Sequence, residues 1–116
     1  MSILNRDAIL AASDLTTVDV DVPEWGGTVR LRVMTGAERD SFSTSLIGPD
    51  GQPDPEGYRV KLIARCAIGE DGARLFTDGE VALLQGKSAA ALDRLFDAAE
   101  KLNAVGNADV DAAEKN

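Results

Sequence analysis

The single cysteine, Cys66, carries the most reactive side chain in the sequence. A nucleophilic cysteine usually needs a histidine or another base beside it, and the chain contains no histidine. Zinc sites are built from sets of cysteine and histidine, so the same composition argues against zinc. Cys66 lies in the apolar run 61–68, which predicts a buried structural thiol. A lone cysteine forms no disulfide within the chain, which is consistent with a reducing cytoplasm.

Carboxylates are the other candidates for chemistry. Asp19 and Asp21 share one face of a predicted strand, where two acids could act as an acid and base pair. They face arginines on the next predicted strand, which favours a solvated, ion-paired surface over catalysis. The acidic turns 50–54 and 70–72 lack the spaced carboxylates of a calcium loop. No phosphate-binding loop and no nucleophile elbow occurs. The sequence therefore predicts no enzyme activity and no catalytic, cofactor-binding or metal site.

Trp25 is the only tryptophan, and it lies between two predicted strands. Two roles are open for it. The ring folds back over the hairpin or a helix, or it contacts a partner, since aromatic residues are enriched in binding hot spots. The second role makes Trp25 the one candidate partner-binding residue in the sequence.

A β-hairpin is the clearest element that could position these residues. Segments 16–22 and 28–33 alternate apolar with polar residues and are separated by turn formers. The register is open, because a two-residue loop pairs Val22 with Leu31 whereas a four-residue loop pairs Val22 with Val29. Either arrangement places acids opposite bases on the exposed face. The expected pairs join Asp19 and Asp21 to Arg30, Arg32 or both.

Helices are expected after the hairpin. Thr35 and Thr77 each precede a glutamate by three residues, which is the capping box that begins a helix. Predicted helices cover about 36–46 and 55–68, a third ends at Gly86, and the last begins after Ser88. The apolar stripe of this last helix follows helical spacing and consists of Leu92, Leu95, Phe96, Ala99 and Leu102. A further short helix is expected within the first 14 residues or so.

This order of elements predicts an α+β fold: a helix-dominated small domain with an N-terminal β-hairpin. The chain has 116 residues, which suits a single domain. We expect that domain to cover residues 1–106 and to be followed by a polar C-terminal tail at 107–116.

The charge balance restricts the partners. Twenty acidic residues against 12 basic ones give a formal net charge of -8. Nucleic-acid binding needs clustered lysine and arginine, and an anionic membrane surface attracts bases, so we expect neither partner. No signal peptide or membrane-spanning run is expected from the hydropathy pattern.

Several segments resemble the tail assembly chaperones of long-tailed phages. Val22-Pro-Glu-Trp-Gly-Gly27, followed by alternating strand residues and Leu31-Arg-Val-Met-Thr-Gly-Ala-Glu-Arg-Asp40, is similar to their N-terminal signature. The end of the chain also resembles theirs, with an apolar helix, Leu102-Asn103, a short acidic stretch and Glu114-Lys-Asn116. These segments carry no catalytic residues, so the resemblance rests on their arrangement along the chain.

The resemblance implies a non-catalytic chaperone of the host cytoplasm that is absent from the mature virion. Such proteins bind the tape measure protein, a long helical protein that aggregates easily, and help tail tube protein to polymerise around it. Self-association is left open as well. Two alternatives remain: another small morphogenesis protein, such as a tail completion or head–tail joining factor, and a small enzyme with an unusual carboxylate site.

The resemblance also implies a longer form, because many such chaperones are extended by a programmed frameshift. Glu114, Lys115 and Asn116 can be encoded by a heptamer on which two tRNAs slip back by one base. The alternative is that these are ordinary residues of a polar tail. The nucleotide sequence decides between them, since an AAG codon at Lys115 excludes slippage there.

Overall fold

The computed structural model describes residues 2–104, which form an α+β fold with the hairpin on the N-terminal side, as predicted. Five α-helices and one three-stranded antiparallel sheet lie within these residues. In chain order the elements are α1 Arg6–Ala11, β1 Thr17–Val22, β2 Gly27–Arg32, α2 Gly36–Ser45, α3 Tyr58–Cys66, β3 Ala67–Ile68, α4 Val81–Gln85 and α5 Ala89–Asn103. The predicted tail 107–116, the last two residues of the predicted domain and the proposed slippage site all lie outside the described range.

The hairpin has a register that neither alternative anticipated. Val22 pairs with Gly27, so both predicted partners, Leu31 and Val29, are wrong. Leu31 instead pairs with Val18, and Val29 pairs with Val20. The observed register differs from each predicted register by an even number of residues, so the valines stay together on one face of the hairpin.

The loop explains this register. Its four residues are 23–26, since Val22 and Gly27 form the last pair of the ladder. The ring of Pro23 fixes φ near the value of a helical turn, so Pro23 opens a 3-10 turn directly after the strand. Gly26 closes the turn with a φ of 70°, a conformation that glycine adopts without a steric penalty, and its N–H donates to the Pro23 carbonyl at 3.1 Å.

The expected charge pairs are formed in part. Arg30 makes a two-pronged contact with Asp19, at 2.7 and 3.1 Å. Asp21 lies opposite Thr28 and accepts a hydrogen bond from its hydroxyl at 3.0 Å. The remaining arginine, Arg32, turns away from both aspartates and donates to Glu38 at 2.7 Å.

A third strand was not predicted. The helix expected over 55–68 is shorter at both ends, because α3 begins at Tyr58 and ends at Cys66. The next two residues pair with β2. Two residues are too few to show a periodicity of their own. They form a strand by pairing with the side of β2 that faces away from β1, where the backbone groups of β2 have no partner in the hairpin.

The structure confirms the two capping boxes, the start of the last helix after Ser88 and its apolar stripe. Both halves of the capping box of Thr35 and Glu38 are present at α2. The second box, of Thr77 and Glu80, caps a 3-10 turn that leads into α4, and Gly86 follows α4 as predicted. The stripe of α5 packs against α3 and against the valine face of the hairpin. Its fully or largely buried members are Leu92, Leu95 and Ala99.

A buried amide fixes the end of α5. The Asn103 side chain accepts a hydrogen bond from the Met34 N–H at 2.7 Å. Its amide nitrogen donates to the Ala99 carbonyl at 2.9 Å and to the Cys66 sulfur at 3.3 Å. One side chain therefore joins α5 to the end of α3 and to the segment between β2 and α2.

Asn103→Ala is expected to destabilise the protein by about 1–3 kcal/mol, because the Met34 N–H would lose its partner while buried. The matched control is Asn5→Ala. The Asn5 amide also accepts from a backbone N–H, that of Ala8 at 2.8 Å, but it caps the exposed helix α1. We expect the control to change the free energy of unfolding by less than about 0.5 kcal/mol. Urea denaturation measures both, and equal effects would contradict the role assigned to Asn103.

Candidate functional site

Cys66 is a buried structural thiol, as predicted. The residue is fully buried at the end of α3. Burial raises the pKa of its thiol to about 11, and the hydrogen bond donated by Asn103 offsets this only in part. The thiolate is the nucleophilic form of cysteine, so little of it exists at neutral pH.

The two aspartates of β1 make surface contacts, Asp19 with an arginine and Asp21 with a threonine hydroxyl. The hydrogen bond from the Arg30 guanidinium lowers the pKa of Asp19, so this carboxylate stays ionised to a lower pH than an ordinary aspartate. Asp21 is exposed on the same face. Within residues 2–104 no three carboxylate or thiol side chains stand close enough together to hold a metal ion.

Arg65 is a buried charge that the sequence pattern did not reveal. It is only 3% exposed, on the face of α3 that meets α2. Its guanidinium donates to Ser41 and lies 3.6 Å from Asp78 in the turn before α4. The same group stacks over Phe42, and burial lowers its pKa. Arg65 therefore ties α2 and α3 to that turn through its two terminal nitrogens, whereas its Nε is buried without a hydrogen-bond partner among the described residues.

Trp25 lies at the tip of the hairpin and packs against the core with its ring half-buried. An ion pair between Glu24 and Arg94, at 3.1 Å, holds the loop to α5. The Lys87 ammonium stands 6.0 Å from the centre of the indole ring, within reach of a cation–π contact. The ring thus packs back against the core, in agreement with the first of its two proposed roles. Contact with a partner through its exposed part stays a prediction.

The N-terminal segment, residues 2–16, carries apolar side chains on the surface, an exposure that the sequence pattern did not predict. No residue of α1 is buried. Helices shorter than about 12 residues are marginal in water without tertiary packing, and α1 has six residues. The exposed apolar side chains of this segment are Ile3, Leu4, Ile9, Leu10 and Leu15.

Across residues 2–104, no helix combines the length and the apolar character needed to cross a bilayer.

Two surface grooves could accept a partner's side chains. One, of about 420 Å³, opens between α3 and α5 beside the stacked rings of Tyr58 and Phe96, whose centres are 5.5 Å apart. The other, of about 430 Å³, runs between β1 and α5. Its floor is apolar, and the charged residues Arg94, Asp97 and Lys101 stand at its rim.

No family model matches the chain. No curated protein matches it either. Among solved structures, that of the bacteriophage HK97 tail assembly chaperone is similar, with 20% sequence identity and a TM-score of 0.58. The likeness covers 76% of this chain and 85% of that chain. The two proteins therefore share a fold over most of their lengths.

Cys66 should resist an aromatic disulfide reagent in the folded protein at mildly alkaline pH and react only as the protein unfolds. The reason is its burial together with the raised pKa of its thiol. Release of the coloured thiol measures the rate, which should rise with added urea. Ser13→Cys supplies a matched exposed thiol that should react at once. Equally fast reaction of Cys66 in the unmodified folded protein would contradict the structural role.

Proposed function

We propose that this protein is a phage tail assembly chaperone that binds the tape measure protein and assists polymerisation of the tail tube. The observation that carries the proposal is the fold shared with the HK97 tail assembly chaperone along most of both chains. The same family was suggested independently by residues 22–40 and by the arrangement of the C-terminal segments. The protein acts in the host cytoplasm and is absent from the mature virion.

The proposed activity is binding without catalysis. The most reactive side chains make structural contacts. Cys66 is buried and the pKa of its thiol is raised, and Asp19 is held by a hydrogen bond from Arg30. Arg65, the buried charge, is directed at Ser41 and Asp78. These contacts favour a protein whose function lies in its surface.

The N-terminal segment supplies a surface suited to an aggregating client. A long helical protein exposes apolar faces before assembly, and covering them keeps it soluble. Ile9 and Leu10 are exposed on α1, which lacks apolar support of its own among the described residues. A client helix packed against this segment would bury both sets of side chains and stabilise α1. Contact through Trp25 would extend this surface to the hairpin tip.

Co-expression with the tape measure protein of the same phage tests the proposal. The chaperone should raise the soluble yield of the client several-fold and co-purify with it. A double variant, Ile9→Asp with Leu10→Asp, should lose most of this gain, because charges at an apolar contact must be desolvated. Leu83→Asp is the matched control, since Leu83 is about as exposed on α4 as Leu10 is on α1.

The outcomes separate the parts of the proposal. Unchanged client solubility together with no co-purification of the unmodified protein would contradict the chaperone function itself. Full activity of the double variant would remove only the N-terminal segment from the client contact. Trp25→Ala, read in the same assay and by urea denaturation, tests the hairpin tip, because unchanged client binding removes Trp25 as a partner contact.

A further inference from the structure

One edge of the sheet has a regular row of unpaired backbone groups. β1 is an edge strand, and within residues 2–104 no strand pairs with its outer side. The Val33 N–H donates to the Thr16 carbonyl at 2.9 Å, which fixes the alternation of hydrogen-bonded pairs along the ladder. The N–H and C=O groups of Thr17, Asp19 and Asp21 therefore point away from β2.

The opposite edge of the sheet is closed. β3 has two residues, and the chain after it turns back so that Ile68 forms an isolated bridge with Arg74. The Leu75 N–H donates to the Ala67 carbonyl at 3.0 Å on the same side. Only the β1 edge is long enough, among the described residues, to accept another strand.

An apolar groove lies directly beside this open edge. Val18 is 37% exposed at the wall of the groove that runs between β1 and α5. Ala98 and Leu102 of α5 are half-buried in its floor. A strand added next to β1 would direct alternate side chains toward α5, since side chains alternate across a sheet. The volume of about 430 Å³ accommodates several aliphatic side chains.

The solvent-facing side of β1 is acidic, and this charge determines which kind of strand can bind beside it. Asp19 is balanced by Arg30, whereas the side-chain partner of Asp21 within residues 2–104 is the Thr28 hydroxyl. A second copy of β1 would bring its own aspartates beside these, and like charges on adjacent strands repel. A strand with basic side chains on this face would meet opposite charge.

We propose that β1 binds an extended segment of a partner protein as a fourth strand, with apolar side chains in the β1–α5 groove and basic side chains beside Asp19 and Asp21. This is strand addition, in which backbone hydrogen bonds provide affinity and alternate side chains provide specificity. The proposal holds whether or not the partner is a tape measure protein. The competing explanation is that the aspartates protect the edge against every strand.

Synthetic peptides of strand length test the proposal on the full chain. A peptide alternating valine with lysine should bind and shift the backbone amide resonances of Thr17, Asp19 and Asp21. A peptide alternating valine with glutamate should bind at least about 10-fold more weakly. Asp21→Asn should weaken binding of the lysine peptide, whereas Asp40→Asn, an equal change of net charge on the exposed face of α2, should not.

N-methylation distinguishes backbone pairing from occupation of the groove alone. Two further lysine peptides carry N-methyl groups on alternate residues, one on the odd and one on the even positions, without any change of side chain. One of them should lose binding about 10-fold or more, because its methyl groups would face β1. The proposal is overturned if the lysine peptide fails to bind at millimolar concentration, if the glutamate peptide binds equally well, or if both methylated forms bind like the parent.

Discussion

Burial of one face of α5 is the interaction on which the rest of the fold depends. This helix contacts α3 and both long strands of the sheet, so its apolar stripe brings together parts of the chain that are distant in sequence. Complete burial of a side chain such as Leu95 contributes about 1.5–3 kcal/mol. The Asn103 amide then sets the position of the helix end against Met34 and Cys66. A chain that is 4% aromatic thus closes its core with leucine, valine and alanine.

Packing on one face of the sheet determines which surfaces remain available. Because α5 covers the valine face of the hairpin, the aspartates of β1 point to solvent, and the outer edge of β1 stays open beside a groove. The N-terminal segment leads into that same strand and keeps Ile9 and Leu10 exposed. Residues with reactive groups, by contrast, are engaged in structural contacts. This distribution is the physical basis for proposing a function that depends on the surface of the protein.

Local patterns predicted most of this fold, whereas features set by tertiary contact were missed. Alternation gave the hairpin, capping boxes gave the start of α2 and the turn before α4, and helical spacing gave the stripe of α5. Both predicted registers of the hairpin were wrong, because the register depends on how Pro23 and Gly26 shape the loop. β3 was missed because it forms only by pairing with β2. Burial of Arg65 and exposure of Ile9 depend on neighbours that sequence periodicity does not identify. Of the residues proposed to contact a partner, the sequence therefore predicted that role only for Trp25.

The most direct test of a chaperone function compares assembling and finished particles. Quantitative mass spectrometry of extracts from infected cells, after affinity capture of the tape measure protein, should detect this chain in complex with it. The same measurement on purified virions should find it absent, because a chaperone leaves once the tube has covered its client. A stoichiometric amount in purified virions, with none bound to the captured tape measure, would contradict the account and identify a structural component such as a tail completion or head–tail joining protein.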